Sequence, residues 1–337
     1  MKKIFNLIAS FVLLAGFSAC NKDGSDKPGL PPAPVPTVNY KGLTFISSGK
    51  SNVCLAKVGA PDEITLEYST DESQWNPYTI GEKISMADGS FLLFRAGEQK
   101  NLTFSKGSDS YYHFEISGPV TAQGNIMSLL DRDFSTPLST NAFFALFEGC
   151  TSLLSAPELP ATTMEQGCYF RMFAECTGLK SAPELPAKEL AYNCYGWMFK
   201  GCSALTYVPD LPATEMVSYC YNNMFANCTS LKFAPELPAT RLDMGCYHCM
   251  FEGCTSLTSA PELPATELVS NCYEFMYKDC RNLRYVIGLF TTEPSEKTTK
   301  DWLSGVAASG TFIKSKKATW DVTSADGVPE GWKIETW

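Results

Sequence analysis

The sequence predicts an α+β multidomain chain: an N-terminal antiparallel β-sandwich-like domain, a solenoid with one short strand and one short helix per coil, and a C-terminal cap. Two observations carry this. First, a 26-residue period runs through the middle of the chain: Cys150, Cys176, Cys202, Cys228, Cys254 and Cys280 form one column. Cys168, Cys194, Cys220, Cys246 and Cys272 form another, and Phe147, Phe173, Phe199, Phe225, Phe251 and Tyr277 a third. A fixed period of this size marks stacked units, each too small to bury its own core. Second, residues 39–121 alternate short β-branched and aromatic runs with turn clusters, as strands of a small antiparallel sandwich do.

Residues 1–19 read as a lipoprotein signal peptide. Lys2 and Lys3 precede the mostly apolar run Ile4–Leu14, which is too short to span a bilayer. Small residues then lead to Cys20 in GFSAC. Residues 20–38 carry this cysteine and a tether in which Pro28, Pro31, Pro32, Pro34 and Pro36 favour extended polyproline II.

Within residues 39–121 the runs LTFIS, NVCLAKV, ITLEYST, KISM, FLLFRA, NLTF and YYHFEIS are the expected strands. His113 fits a half-buried strand position and Cys54 a buried thiol. Residues 122–146 lead into the repeats as an N-terminal cap. Ala142 and Leu146 stand there where later coils have Cys and Met.

Residues 147–290 form the solenoid. Cys168, Met172 and Cys176 fall at i, i+4 and i+8, with Tyr169 and Phe173 beside them, the apolar face of a short helix. Gly167, Asn193, Gly245 and Asn271 suit its N-cap; Gly149, Gly201, Asn227 and Gly253 suit its end. The other half of each coil, such as SLLSAPELPA, is extended. Its proline columns limit any strand to three or four residues. One strand and one helix per 26 residues is a leucine-rich-repeat coil. Beyond Leu289 the period stops, and Trp302, Phe312, Trp320 and Trp332 supply enough bulk to cover the last coil, so residues 291–337 read as a cap.

The repeat MFxxCTSLxxAPELPAT…CY resembles the BspA-like (Treponema pallidum-type) leucine-rich repeats of surface lipoproteins. The sequence before it and the tail WLSGVAASGTF…GVPEGWKI are similar to the flanks of such proteins in Bacteroides-type bacteria. The processing site at Cys20 resembles that of bacterial lipoproteins. These resemblances imply lipidation of Cys20, stable anchoring by several acyl chains, outer-membrane display at the cell surface, and for some members adhesion to host proteins or other bacteria.

Net charge is -9 and no basic stripe stands out, so nucleic acid is not an expected partner. Two histidines leave little material for acid–base chemistry near neutral pH. No GxSxG, HExxH, P-loop or GxGxxG motif occurs, and no enzyme activity, cofactor or metal is expected. Cys246, His248, Cys249 and Cys254 match no common zinc spacing. The cysteines read as buried free thiols, because residues eight apart on a helix lie ~12 Å from each other.

A ligand is expected where the repeat varies. Tyr207 and Phe233 share one column in neighbouring coils, with Lys180 and Lys232 beside it, an aromatic–basic patch on the sheet side. Phe170, Trp197 and Phe275 make a competing surface on the expected helix side. The acidic column Glu158, Glu184, Asp210, Glu236 and Glu262 is expected to splay outward or bond backbone. The functional expectation is a monomeric, non-enzymatic surface protein recognising a protein partner. The alternative is a glycan-binding accessory protein of a nutrient-uptake system.

Overall fold

Residues 40–337 are described by a computed structural model, apart from residues 100, 101, 322 and 325. The signal peptide, Cys20 and the tether lie outside the described residues.

The first strands build two antiparallel sheets. One contains β1 (Leu43–Ser47), β3 (Leu66–Ser69), β4 (Asn76–Tyr78), β6 (Phe91–Ala96) and β9 (Val120–Gln123). The other orders β5 (Lys83–Met86), β2 (Ser51–Val58), β8 (Ser110–Ser117) and β7 (Ser105–Gly107). Alternating residues of both point inward: Phe45, Phe94 and Phe114 are essentially sealed from solvent and meet edge to face, the arrangement that aromatic quadrupoles prefer. The sandwich does not end at its own edge. A single 3-10 turn, Ile126–Leu129, follows β9. Strand β9 then pairs in parallel with β10 (Leu153–Ser155) from the first coil, so the larger sheet runs β10-β9-β1-β6-β3-β4. Phe114 stacks on Phe147 at 5.2 Å, which joins the sandwich core to the repeat core.

The expected short helix is overturned. Among the described residues no α-helix occurs, and the chain is built of strands and turns. Each coil instead carries a ribbon of consecutive turns in which every fourth residue is left-handed. Gly167, Arg171 and Glu175 have φ of 59°, 58° and 60°; Asn193, Trp197 and Gly201 repeat this at 56°, 58° and 76°. The hydrogen bonds follow the same alternation. Phe170, Met172, Ala174 and Cys176 donate to carbonyls three residues back in their own coil. Tyr169, Arg171, Phe173 and Glu175 donate to Cys194, Gly196, Met198 and Lys200 in the next coil, at 2.7–3.1 Å. Every second N–H thus ties neighbouring coils together, and the buried backbone is satisfied without a helix. A spacing of i, i+4, i+8 fits a four-residue turn repeat as well as a 3.6-residue helix. The glycines and asparagines taken for caps are the left-handed residues of the ribbon. An N-cap would instead be extended.

Between coils the core columns register ring on ring. Phe147, Phe173, Phe199, Phe225, Phe251 and Tyr277 stack with centroids 5.3–5.7 Å apart. Phe143 and Tyr169 to Tyr273 form a second stack at 5.7–6.0 Å. Leu153, Leu179, Leu205, Leu231, Leu257 and Leu283 are fully buried beneath the extended halves.

The extended halves are less regular than expected. Coils between β10 and β11 (Ser259–Leu263) keep isolated bridges such as Ser181↔Tyr207 and no ladder, because the proline columns withhold donors. Regular pairing returns at the C-terminal end. There β11, β12 (Tyr285–Gly288), β13 (Thr311–Lys314) and β14 (Lys333–Thr336) form a parallel sheet. The 26-residue step outlasts Leu289: Tyr285 pairs with Thr311, and Tyr277 donates to Trp302 O. Asp301 and Gly305 take the left-handed places at φ 48° and 74°. Trp302, Phe312, Trp320 and Trp332 are buried under this last coil, and the three indole N–H groups donate to Gly327, Phe290 and Ala307 carbonyls.

Candidate ligand-binding surfaces

The sheet-side patch is built by the two residues that follow each buried column leucine. Leu179 and Leu205 are sealed, and the chain then turns outward through Lys180–Ser181 and Thr206–Tyr207. Thr206 N–H donates to Lys180 O at 3.0 Å and Ala182 N–H to Tyr207 O at 3.1 Å, which sets Lys180 and Tyr207 in neighbouring coils of one face. Tyr207 is 39% exposed and Phe233 48%, and Lys180 and Lys232 are exposed beside them. Partial burial, then Glu184 and Asp210, push the Tyr207 phenol upward. The acidic column therefore borders the aromatic one, and the patch carries both signs of charge. Among the described residues Tyr207 and Phe233 do not stack on other rings, so both are open to a partner. The acids are exposed except Glu262, which is half-buried; Asp210 Oδ1 accepts the Glu236 N–H at 3.1 Å.

Phe170, Trp197 and Phe275 lie on the turn ribbon. Phe170 stacks on Phe144 at 5.5 Å and reaches Trp197 at 6.4 Å, so the structure brings these two together. Phe275 lies three coils further on, against His248 at 6.0 Å. Lys200 Nζ sits 3.7 Å over the Trp197 ring, a cation–π contact, and Arg171 pairs with Glu148. Trp197 and Phe275 are left-handed at φ 58° and 54°, a conformation that costs a side-chain-bearing residue roughly 1–2 kcal/mol.

Sequence reasoning missed a third group. Tyr192 and Met244 are 47% and 43% exposed, and Tyr219, next to the Ser218 that shares their column, lies edge-on to Tyr192 at 6.0 Å. The signal was available. Tyr219 (φ 57°) occupies the column of Gly167, Asn193, Gly245 and Asn271, where every other member tolerates a left-handed backbone.

The thirteen described cysteines are free and buried. Cys150, Cys176, Cys202, Cys228, Cys254 and Cys280 each donate a thiol hydrogen bond to an aromatic residue's carbonyl in the preceding layer at 3.0–3.1 Å. Burial pushes Cys150, Cys194 and Cys254 up to about 12. These are core groups, far from thiolate reactivity. Cys249 Sγ lies 3.8 Å from His248 Nε2, yet among the described residues no three His, Cys, Asp or Glu side chains gather as a metal cluster.

No protein-family model, curated protein or solved structure matches this chain. The surfaces themselves are therefore the basis for a functional reading.

Proposed function

We propose that this chain is a non-enzymatic, lipid-anchored surface protein whose solenoid presents the Tyr207–Phe233 patch to a protein partner. The observation that carries the proposal is the exposure of these two rings. They stand in neighbouring coils, above a layer in which the column leucines are fully buried, and among the described residues they have no ring partner. Aromatic anchors rimmed by charge are where protein interfaces concentrate binding energy. Lys180 and Lys232 on one side, with Glu184 and Asp210 on the other, would fix the partner's orientation.

The surface setting rests on the leader and on Cys20, and on the likeness of the repeat to BspA-like lipoproteins. The short helix of that reading is not retained. Lipidation at Cys20 would place the solenoid on an outer membrane, held off it by the proline-rich tether. Incorporation of labelled fatty acid that is abolished by Cys20→Ser tests the anchor.

The binding proposal is tested by capture from host mucosal extract with the full-length protein beside the double variant Tyr207→Ala, Phe233→Ala. A specific protein lost from the variant, with unfolding unchanged, supports the patch. Capture that is indifferent to both substitutions removes it. Binding to glycans with no protein captured favours an accessory role in nutrient uptake.

A further inference from the structure

The C-terminal sheet ends on an open edge. It runs β11-β12-β13-β14, and among the described residues no strand pairs with the far side of β14. Edge strands template pairing with another chain unless something blunts them. In the sandwich sheets β4 and β7 are three residues long and carry Pro77 and Gly107. Strand β14 has four residues, no proline and an unbroken register with β13.

The free backbone groups of β14 are ordered. Lys333 N–H donates to Gly310 O and Trp337 N–H to Lys314 O, both at 2.9 Å, so the odd-numbered residues face β13. Successive residues of a strand turn their backbone groups to opposite sides, which aims the N–H and C=O of Ile334 and Thr336 at the open edge. The core is open there too. Val286, Phe312 and Ile334 are neighbours across β12, β13 and β14. The first two are sealed, whereas Ile334 is only half-buried.

We propose that β14 pairs with β14 of a second copy, antiparallel about a two-fold axis at Ile334. An axis at a residue that faces the edge makes a hydrogen-bonded pair. Each Ile334 N–H then meets Ile334 O of the other copy, and each Thr336 N–H meets the other Trp332 O. The same register sets Lys333 of each copy opposite Glu335 of the other. Directly opposed residues share a face, so the two isoleucines meet on the core side and the opposite charges meet on the outer side. Trp337, 62% exposed, comes opposite Gly331. An axis at Glu335 would oppose two carboxylates and present backbone groups that β13 already uses.

The alternatives are poorer. A head-to-tail stack of solenoids needs a free first coil, and β9 of the sandwich occupies that side of β10. A closed, isologous pair is what remains. Lys333 and Glu335 pair with each other along the strand at 2.5 Å, with side chains 73% and 41% exposed. An ion pair that exposed contributes little, so exchanging it for two cross-strand pairs costs little. One strand pair is small for a stable dimer, so association in solution is weak. Two copies tethered to one membrane would meet at high effective concentration.

The test is sedimentation velocity of the full-length chain in detergent over a range of concentrations, with bound detergent subtracted. A dimer that grows with concentration is expected. Lys333→Glu and Glu335→Lys each make both cross-strand pairs like-charged, and each is expected to weaken association about tenfold. An equimolar mixture of the two single variants restores opposite charges across the axis, and so does the double variant; both are expected to recover the dimer. Thr336→Pro removes an N–H that β13 does not use, so it is expected to weaken the dimer and leave thermal unfolding unchanged. A wild-type chain that stays monomeric up to ~1 mM overturns the proposal. So does a dimer indifferent to the charge reversals and to Thr336→Pro, single variants that fail to recover on mixing, or a different protein that pairs with β14 while the chain itself stays monomeric.

Discussion

Replacing Tyr277 by phenylalanine is expected to stabilise the protein. Tyr277 closes the phenylalanine column, is fully buried, and stacks on Phe251 at 5.5 Å with planes 2° apart. Its hydroxyl has no protein partner, and burial holds the phenol well above the usual range. A buried, unpaired hydroxyl costs roughly 1–3 kcal/mol. Tyr277→Phe removes that group and keeps the ring, the stack and the contact to Trp302. The void left is smaller than a methyl group, so a net gain of about 1 kcal/mol is expected. For a domain of this size that corresponds to a rise in Tm of roughly 2 °C. Urea unfolding followed by near-ultraviolet circular dichroism measures the change. A loss of about 1 kcal/mol or more would refute the reasoning, since it would require the hydroxyl to hold a real bond.

Three further outcomes are expected. Stability falls as pH rises through 9 to 12: Cys150, Cys194 and Cys254 are raised from 9.0 to about 12 by burial. A thiol with a raised folded pKa contributes stability below its unfolded value and loses it as pH climbs through the folded one, at about 1.4 kcal/mol per pH unit per group. A melting temperature flat from pH 8 to 11 would contradict this. Thiol titration without reductant is expected to find the thirteen described cysteines unreactive in the native protein and all reactive after denaturation; a shortfall after denaturation would reveal disulfides. Gly201→Ala is expected to cost about 1–2 kcal/mol, since Gly201 is left-handed at φ 76° and a Cβ would meet the Glu175 carboxyl at 2.5 Å. Unchanged urea unfolding would show that the ribbon relaxes there.

The period, the buried columns and the sandwich texture were legible because burial is written directly in residue type. Every column leucine, and both cysteine columns, is buried where the repeat places it. The ribbon was not legible from the apolar face alone, because Cys168, Met172 and Cys176 suit two backbones. The discriminating residues were polar. Asn223 stands inside the segment read as helix, four residues before the end position Asn227, and it is left-handed too. A helix excludes such residues from its interior, whereas a four-residue turn repeat requires them. The end of the repeat was misread for a similar reason. Trp302 and Leu303 replace Met and the aromatic, so the column changes identity while Gly305 keeps its place. On the candidate surfaces, Tyr207 and Phe233 were found by their variability. Tyr219 was hidden because its column was read as a cap.

The alternation of hydrogen bonds also decides which residues are free to serve a ligand. Core positions of the ribbon are fixed by ring stacking between coils, and the alternating N–H bonds that tie one coil to the next use only backbone. The outward residues carry no part of that load, and the left-handed ones do best as glycine or asparagine. Six of the seven members of the column from Gly149 to Gly305 are Gly, Asn or Asp, with Glu175 the exception. The middle column instead reads Ala145, Arg171, Trp197, Asn223, Cys249, Phe275 and Asp301 in the same conformation. If packing alone set these residues, the middle column would resemble its neighbours. It keeps a guanidinium, an indole and a phenyl ring at a cost of roughly 1–2 kcal/mol each. The sheet-side patch carries no comparable cost: among the described residues Tyr207 and Phe233 are absent from the left-handed set. Side chains held against backbone preference are better evidence of selection for a surface than side chains that are merely exposed. The turn face is therefore the stronger candidate for an ordered, geometrically demanding ligand, and the sheet patch for a broader protein contact.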